Sequence, residues 1–441
     1  MLSRALVSGV AAGAFLVAPA VSAAAGAAAG AAAGVSAGAA ASAAADSVRY
    51  QQQWVFNMLG VDSAWSRSQG ANVTVAVIDS GVDPDVSDLT GSVIPGRDYT
   101  GLRTSPRSSH WGEHGTWMAS IIAGHGHDAN GMDGIVGIAP KAKILAIRVI
   151  PDMNDPGYHT YDNEPEQQIQ RDLADGIMAA VRAHVQVISM SIGYSEPSGV
   201  VRAALQDAYQ HGIVLVASSG NSGNNDERRN HNLAPVSFPA EYPGVLSVGA
   251  VNMNRQPTSF SSGNLSVRVA APGADVPAEG RDGIYYTVDG TSPACAIVAG
   301  VAALIKSEYP AISPALVIQA LTTTAQKTTS GSYNFLTGFG IVDADAALAE
   351  SGRLMGERQA GSQVPLTSHF GGGAAAVPAA PVAQRSASGL TAFAALALIS
   401  LAAAAGGLIV VVRRARDPLR RPPQGPQPGP QPGAWPGPRP G

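Results

Sequence analysis

An α/β domain built on a mostly parallel sheet, plus one C-terminal transmembrane helix, is the fold class predicted by this 441-residue sequence. Three observations carry that expectation. Short Val/Ile-rich runs recur between about residues 70 and 350, as fits strands buried on both faces. Stretches with helical periodicity lie between some of them, which is the pattern of a parallel sheet covered by helices. Near the end, 390–412 is uncharged and is followed at once by Arg413, Arg414, Arg416, Arg420 and Arg421.

The chain reads in order as follows. Residues 1–25 have the parts of a secretory signal: Arg4, an apolar run, and the small-residue site Val21-Ser22-Ala23. Residues 26–45 are an Ala/Gly-rich low-complexity segment, a composition that cannot bury a core. The catalytic-size domain, with an N-terminal arm, is expected over 46–351. Within it the candidate strands are 73–79, 144–150, 185–192, 213–218, 245–251 and 267–271. In 172–184, Leu173, Ile177 and Val181 recur every four residues, and 198–212 opens on a capping serine and closes on Gly212. Residues 352–389 turn to Gly, Ser, Ala and Pro, a flexible stalk. A helix over 390–412 spans the hydrocarbon core, and the arginines behind it place the body outside and the tail, 413–441, in the cytoplasm. That tail is basic and Pro-rich; its arginines meet anionic lipid headgroups and its Pro/Gly/Gln run is solvated.

Charge and cysteine usage narrow the function classes. Charged residues make up 14% of the chain, against about 25% in an average globular domain. The tail holds six arginines and one aspartate, so the rest carries 22 basic against 31 acidic residues. An acidic body without a basic helix excludes nucleic acid as the expected partner. Cys295 is the only cysteine, so no intramolecular disulfide forms and stability rests on the core. Three residues after Ser292, this thiol reads as a small buried filler rather than a nucleophile.

Three segments place a reactive side chain beside glycine at a chain turn: Val77-Ile78-Asp79-Ser80-Gly81, Glu113-His114-Gly115-Thr116 and Gly290-Thr291-Ser292-Pro293-Ala294. A serine hydroxyl becomes a nucleophile only beside a base that is oriented by a carboxylate, and these segments supply all three in the order Asp, His, Ser. Asp79 ends an apolar strand, which Asp83 and Asp85 do not. Ser292 opens an apolar helix, where free N–H groups favour developing negative charge. Pro293 after it has no N–H to donate, which argues against an α/β-hydrolase oxyanion hole. The Gly34–Gly38 G-x-S-x-G match lies in the low-complexity tract and reads as chance.

On these motifs the chain resembles the subtilisin-family serine proteases over roughly residues 54–350, with a three-layer domain. The segment from Val75 to Asp83 is similar to the family's acid motif, His114-Gly115-Thr116 to its histidine motif and Gly290-Thr291-Ser292 to its serine motif. Gly137-Ile138-Ala139-Pro140 is also typical. The resemblance implies that Asp79 orients His114, that His114 is general base and then acid, and that Ser292 attacks the peptide carbonyl. It implies Asn221, in Ser219-Gly220-Asn221-Ser222-Gly223, as the oxyanion-hole asparagine. Ser191, Ile192 and Gly193 would pair with substrate backbone, and Ala217, Ser218 and Ser219 would form a wall of the primary pocket.

The sequence departs from the family's habits beside the triad. Pro293 and Ala296 stand where methionine and proline are common, and Trp117 and Ser120 where histidine and glycine are common. Trp117 is expected to narrow the groove. No metal or cofactor is expected for the chemistry. His110-Trp111-Gly112-Glu113-His114 fits the zinc pattern H-x-x-E-H, but Ser108, Ser109 and Gly112 read as loop, with the helix starting after His114. The acidic stretch 152–166 is a calcium candidate because some relatives bind calcium, yet it lacks ligand spacing and reads as a solvated insertion.

Signal, protease-like domain, stalk, membrane span and basic tail together resemble the mycosins, membrane-anchored proteases associated with type VII secretion. Gln53-Trp54, Leu59 and Ala64-Trp65 are similar to that group's N-terminal region, whereas the lone Cys295 departs from its disulfides. The implied function is an extracytoplasmic serine endopeptidase at the cell-membrane surface that cleaves secreted proteins, acting on protein or peptide substrates, with type VII secretion components as partners. The other reading is a pseudoprotease scaffold that binds such components with its triad idle. Residues 24–53 are too few for the family's usual inhibitory prosegment, so the arm is expected on the domain surface with the groove open.

Overall fold

The computed structural model describes residues 18–19, 36–127, 133–223, 233–328 and 331–361. All belong to one compact unit, 1–364; a second unit, 365–441, lies outside the described residues.

The Val/Ile-rich runs form strands, as their composition predicts. With four strands that those runs did not mark, the strands of the described residues are, in chain order, β1 (Ala18–Pro19), β2 (Thr74–Asp79), β3 (Val93–Asp98), β4 (Lys143–Arg148), β5 (Val187–Met190), β6 (Val214–Ser218), β7 (Val245–Val251), β8 (Val267–Pro272), β9 (Val276–Glu279) and β10 (Tyr285–Val288). Seven of them make a parallel sheet in the order β3-β4-β2-β5-β6-β7-β8. Side chains alternate across it with the period of two that a strand dictates. Val75 and Val77 enter one core, with the helices Glu113–Ala123 and Thr291–Glu308, while Ala76 and Ile78 enter the other. That second core is closed by Glu166–Arg182 and Gly199–Gln210, through Leu173, Ile177, Val181, Val201 and Leu205. The result is three layers.

Thr291–Glu308 is buried from Thr291 through Lys306, which explains why its sequence is apolar on every side. Gly300 lets it approach closely, since a Cβ there would lie 2.6 Å from that of Ile138. The strand order also locates a crevice. From β2 the chain leaves to one side, through β3 and β4, and returns to continue on the other side at β5. Ligands of such sheets bind outside the carboxyl ends of the strands at this switch point.

Two boundaries differ from the sequence expectation. The helix Ser36–Leu59 begins inside the Ala/Gly-rich segment, and Val48, Gln52, Val55, Phe56 and Leu59 bury its inner face. Alanine favours helix, and the packing of the second half anchors it. At the other end, Ala344–Gly361 runs into the segment expected to be stalk, because Ser351 and Leu354 are still buried against the domain. A small sheet, β1-β10-β9, was not anticipated; in it Ala18 and Pro19 pair with Thr287 and Tyr286. Among the described residues no helix is long and apolar enough to cross a membrane. The 390–412 segment, the tail and most of the signal region lie outside them.

Candidate active site

The site grows from the end of β2. Asp79 is the last residue of the strand, 1% exposed, and Gly81 follows in the left-handed region at φ 104°. That turn meets the helix Glu113–Ala123 head-on. A Cβ on Gly115 would sit 2.0 Å from the Gly81 carbonyl oxygen, so only glycine allows the approach. The Gly115 N–H donates to Ser80 Oγ at 3.1 Å, and Thr116 Oγ1 accepts from the Asp83 N–H at 2.9 Å. The His-Gly-Thr motif is therefore a docking surface for the acid turn.

This contact brings His114 Nδ1 to 2.7 Å from Asp79 Oδ1, which also accepts the Ser80 N–H at 2.7 Å. An ionised carboxylate only accepts, so the imidazole proton sits on Nδ1 and Nε2 is left as a base. Burial alone favours the neutral ring. The charge and hydrogen bond of Asp79, joined by the charge of Asp152, outweigh it and hold the His114 pKa above the usual histidine value.

Ser292 comes from the opposite direction, in the first turn of Thr291–Glu308, which packs against the His114 helix. It is 5% exposed. Its Oγ makes a long 3.5 Å contact to the Ser191 carbonyl, and Ser191 Oγ donates to the Ser292 carbonyl at 3.2 Å. Asn221 lies on the loop after β6, and its Oδ1 accepts from both the N–H and Oγ1 of Thr291, at 2.9 and 3.0 Å. Thr291 Oγ1 in turn accepts the Gly220 N–H at 3.2 Å. With Oδ1 pinned, the amide presents Nδ2 as its donor beside Gly290, 3.3 Å from where a Cβ there would lie. A donor pair at a helix N-terminus, Nδ2 and the Ser292 N–H, is suited to a developing oxyanion.

This geometry accords with the comparisons. Residues 70–340 match the subtilase family. The chain belongs to that family. It is 33% identical to subtilisin DY of Bacillus licheniformis over 283 residues, which is 63% of this chain and 92% of that protein. Among solved structures it is similar to MycP1 from the ESX-1 type VII secretion system, with 30% identity and a TM-score of 0.57, covering 67% of this chain and 85% of that one. It is likewise similar to the MycP3 protease of the ESX-3 system, at 32% identity and a TM-score of 0.56, covering 67% and 87%.

As a subtilase domain, the chain places the other expected residues unevenly. Ser191, Ile192 and Gly193 run on from the end of β5, Gly193 exposed, with Ser191 touching Ser292. Of the residues expected as a pocket wall, Ala217 points into the second core, so it can offer only backbone. Ser219 is buried, donates its N–H to the Val248 carbonyl, and its Oγ has no hydrogen-bond partner among the described residues. Trp117 is 7% exposed, edge-on to His114 with ring centroids 6.1 Å apart and tilted against Tyr286 at 5.6 Å. It backs the imidazole instead of lying open along a groove.

The alternatives fare as follows. The helix starts at Glu113, one residue before His114 instead of after it, with Gly112 at its N-cap; His110 is an exposed loop residue. The two histidines of H-x-x-E-H thus share no helical face, as zinc binding through that pattern requires. Asp83 is taken by Arg281, 3.6 Å away. Cys295 is fully buried near Ser189 Oγ and the Met190 carbonyl, and burial pushes its thiol up to about 11, which keeps it inert.

The acidic stretch 152–166 is more than a solvated insertion. Asp155 is buried and accepts from Arg148 Nη2 at 2.8 Å, Thr104 Oγ1 at 2.8 Å and the Gly157 N–H at 2.7 Å. Arg148, at the end of β4, also binds Asp98 Oδ2 at 2.6 Å and the Ser80 carbonyl at 3.1 Å. Thr291, Ser80 and Arg148 are thus supporting residues that motif reading did not assign. The one signal was an arginine inside the otherwise apolar run 144–150.

Proposed function

We propose that this subtilase is a membrane-anchored, extracytoplasmic serine endopeptidase that processes secreted proteins. The observation that supports it most is the 2.7 Å Asp79–His114 bond, set at the sheet's switch point on a helix packed against the one that carries Ser292. In this reading His114 Nε2 takes the Ser292 Oγ proton as Oγ bonds to the scissile carbonyl carbon. Asp79 stabilises the imidazolium through Nδ1. The oxyanion receives hydrogen bonds from Asn221 Nδ2 and the Ser292 N–H. His114 then returns its proton to the leaving amine, and water repeats the sequence to release the acyl group. Residues 191–193 align the substrate backbone and 217–219 bound the primary pocket.

The tether rests on sequence: the signal 1–25, the span 390–412 and the arginines behind it. The likeness to MycP1 and MycP3, proteases of type VII systems, makes such a secretion apparatus the proposed context. A fluorophosphonate probe tests the chemistry on the full-length protein in membranes. Labelling of the wild type and not of Ser292→Ala is the expected result. Labelling of neither would sink the enzyme reading in favour of an idle scaffold. Protease protection of the domain in right-side-out vesicles would refute the orientation.

A further inference from the structure

Asp152 lies on the loop after β4, outside every motif that marks the site. Its carboxylate spans the start of the helix that carries His114: Oδ2 accepts the Glu113 N–H at 2.9 Å and Oδ1 the His114 N–H at 3.0 Å. The N-cap position is Gly112, which has no side chain to satisfy these donors. A residue 38 positions away supplies the cap instead.

The loop that brings it there is fixed. Asp155, three residues on, is buried against the Arg148 guanidinium, and the same guanidinium holds the Ser80 carbonyl. Ser80 gives its N–H to Asp79 Oδ1. One buried cation therefore ties together the turn of Asp79 and the loop of Asp152. His114 is met by two carboxylates, one on its ring and one on its backbone.

We propose that Asp152 is a positioning residue for peptide hydrolysis: it fixes the His114 backbone and favours the imidazolium formed when Ser292 loses its proton. The proposal rests on the reading of Asp79, His114 and Ser292 as the reacting set. The charged groups facing His114 are Asp79 from β2 and Asp152 from the loop after β4. Glu113 precedes it on its own helix and in turn feels Asp152, Asp282, His110 and Arg281. Burial disfavours the imidazolium and the two aspartates favour it, so removing either charge should make His114 easier to deprotonate.

The test uses Asp152→Asn, close to isosteric and uncharged, in the full-length protein in detergent micelles. Two readouts are taken: the His114 ring titration by NMR in a Ser292→Ala background, and the pH profile of kcat/KM with Ser292 present. Both should move to lower pH. On the plateau, kcat should fall roughly tenfold while KM stays within about twofold, the signature of a displaced catalytic group.

A lower melting temperature with an unmoved titration and an unmoved acid limb would reduce Asp152 to a plain helix cap and overturn the proposal. If Asp152→Asn fails to fold, Asp152→Ser keeps one acceptor without the charge and must give the same shift. A shifted titration in a protein whose wild type is not labelled by fluorophosphonate would instead refute the underlying enzyme reading.

Discussion

The fixed orientation of Asn221 gives a prediction that can be worked through quantitatively. If Nδ2 stabilises the oxyanion, Asn221→Ala removes an interaction made in the transition state. Losing such a donor costs about 2.7–4 kcal/mol, roughly 10²–10³ in kcat, with little change in KM. Thr291 acts on the same donor indirectly. Thr291→Val deletes the 3.0 Å bond from Oγ1 to Asn221 Oδ1 and the acceptor of the Gly220 N–H, yet the Thr291 N–H still holds Oδ1 at 2.9 Å. Of the two bonds lost only the one to Oδ1 orients the amide, and a neutral hydrogen bond is worth about 1 kcal/mol net, so kcat should drop only about fivefold. Because Thr291 works through Asn221, the double variant should lie within about twofold of Asn221→Ala. The assay is steady-state hydrolysis of an activated ester by the full-length protein, with active sites counted by fluorophosphonate burst. Multiplicative losses in the double variant, or a raised KM with unchanged kcat in Asn221→Ala, would refute the reasoning.

Two further outcomes follow from buried charge. Replacing Arg148 by Met leaves Asp155 buried without its counter-ion, which should cost about 3–5 kcal/mol in denaturant unfolding. Adding Asp155→Leu should recover much of that loss. Glu279 is 0% exposed beside buried Asp88, with His127 and Tyr285 nearby, and burial pushes it up to about 7. The folded chain then holds a proton that the unfolded chain has released, so stability is highest at acid pH and falls as pH rises from about 4.5 through about 7. The loss is about 3 kcal/mol for a shift of that size. Melting temperature measured from pH 5 to 8 should decline in the wild type and flatten in Glu279→Gln; an equal slope in both would discount the carboxyl.

The central strands were legible because β2, β4, β5, β6, β7 and β8 are apolar runs interrupted by charge only at Arg148 in β4 and Arg268 in β8, and the observed bounds fall within about two residues of the expected ones. β3 escaped notice because Val93–Asp98 contains Pro95 and Gly96 and is largely exposed, an edge strand with no hydrophobic alternation. The hairpin of β9 and β10 offers only four residues a side. The four candidate site residues were visible because glycine marks each turn: Gly81, Gly115, Gly220 and Gly290 sit beside them, and at Gly115 the reason is a 2.0 Å approach. Ser80 and Thr291 stand beside two of these glycines but with side chains that suggest no role of their own, and Arg148 and Asp152 carry no such local mark. Most of their partners lie tens of residues away, so only folding reveals what they hold. Nor does composition reveal that the arm helix starts at Ser36; its described buried positions are Val48, Gln52, Val55, Phe56, Met58 and Leu59.

Trp117 shows how position in space changes a residue's expected role. From sequence it was expected in the groove, where its loss would alter which substrates are cleaved. In the structure its indole lies between the His114 ring and Tyr286 of the hairpin that leads into Ser292. Truncation there opens a cavity behind the imidazole, costing about 3–5 kcal/mol of stability, and frees the ring to tilt away from its aspartate. Trp117→Ala should therefore lower kcat by a similar factor for every member of a peptide library and leave the order of preference intact. Trp117→Phe should retain most activity, because among the described residues the indole N–H has no hydrogen-bond partner to forfeit. A reordered preference with an unchanged maximal rate would mean that the indole meets substrate after all. The bulk of Trp117 supports the His114 ring from behind, so its loss should act on rate and stability and leave the choice of substrate unchanged.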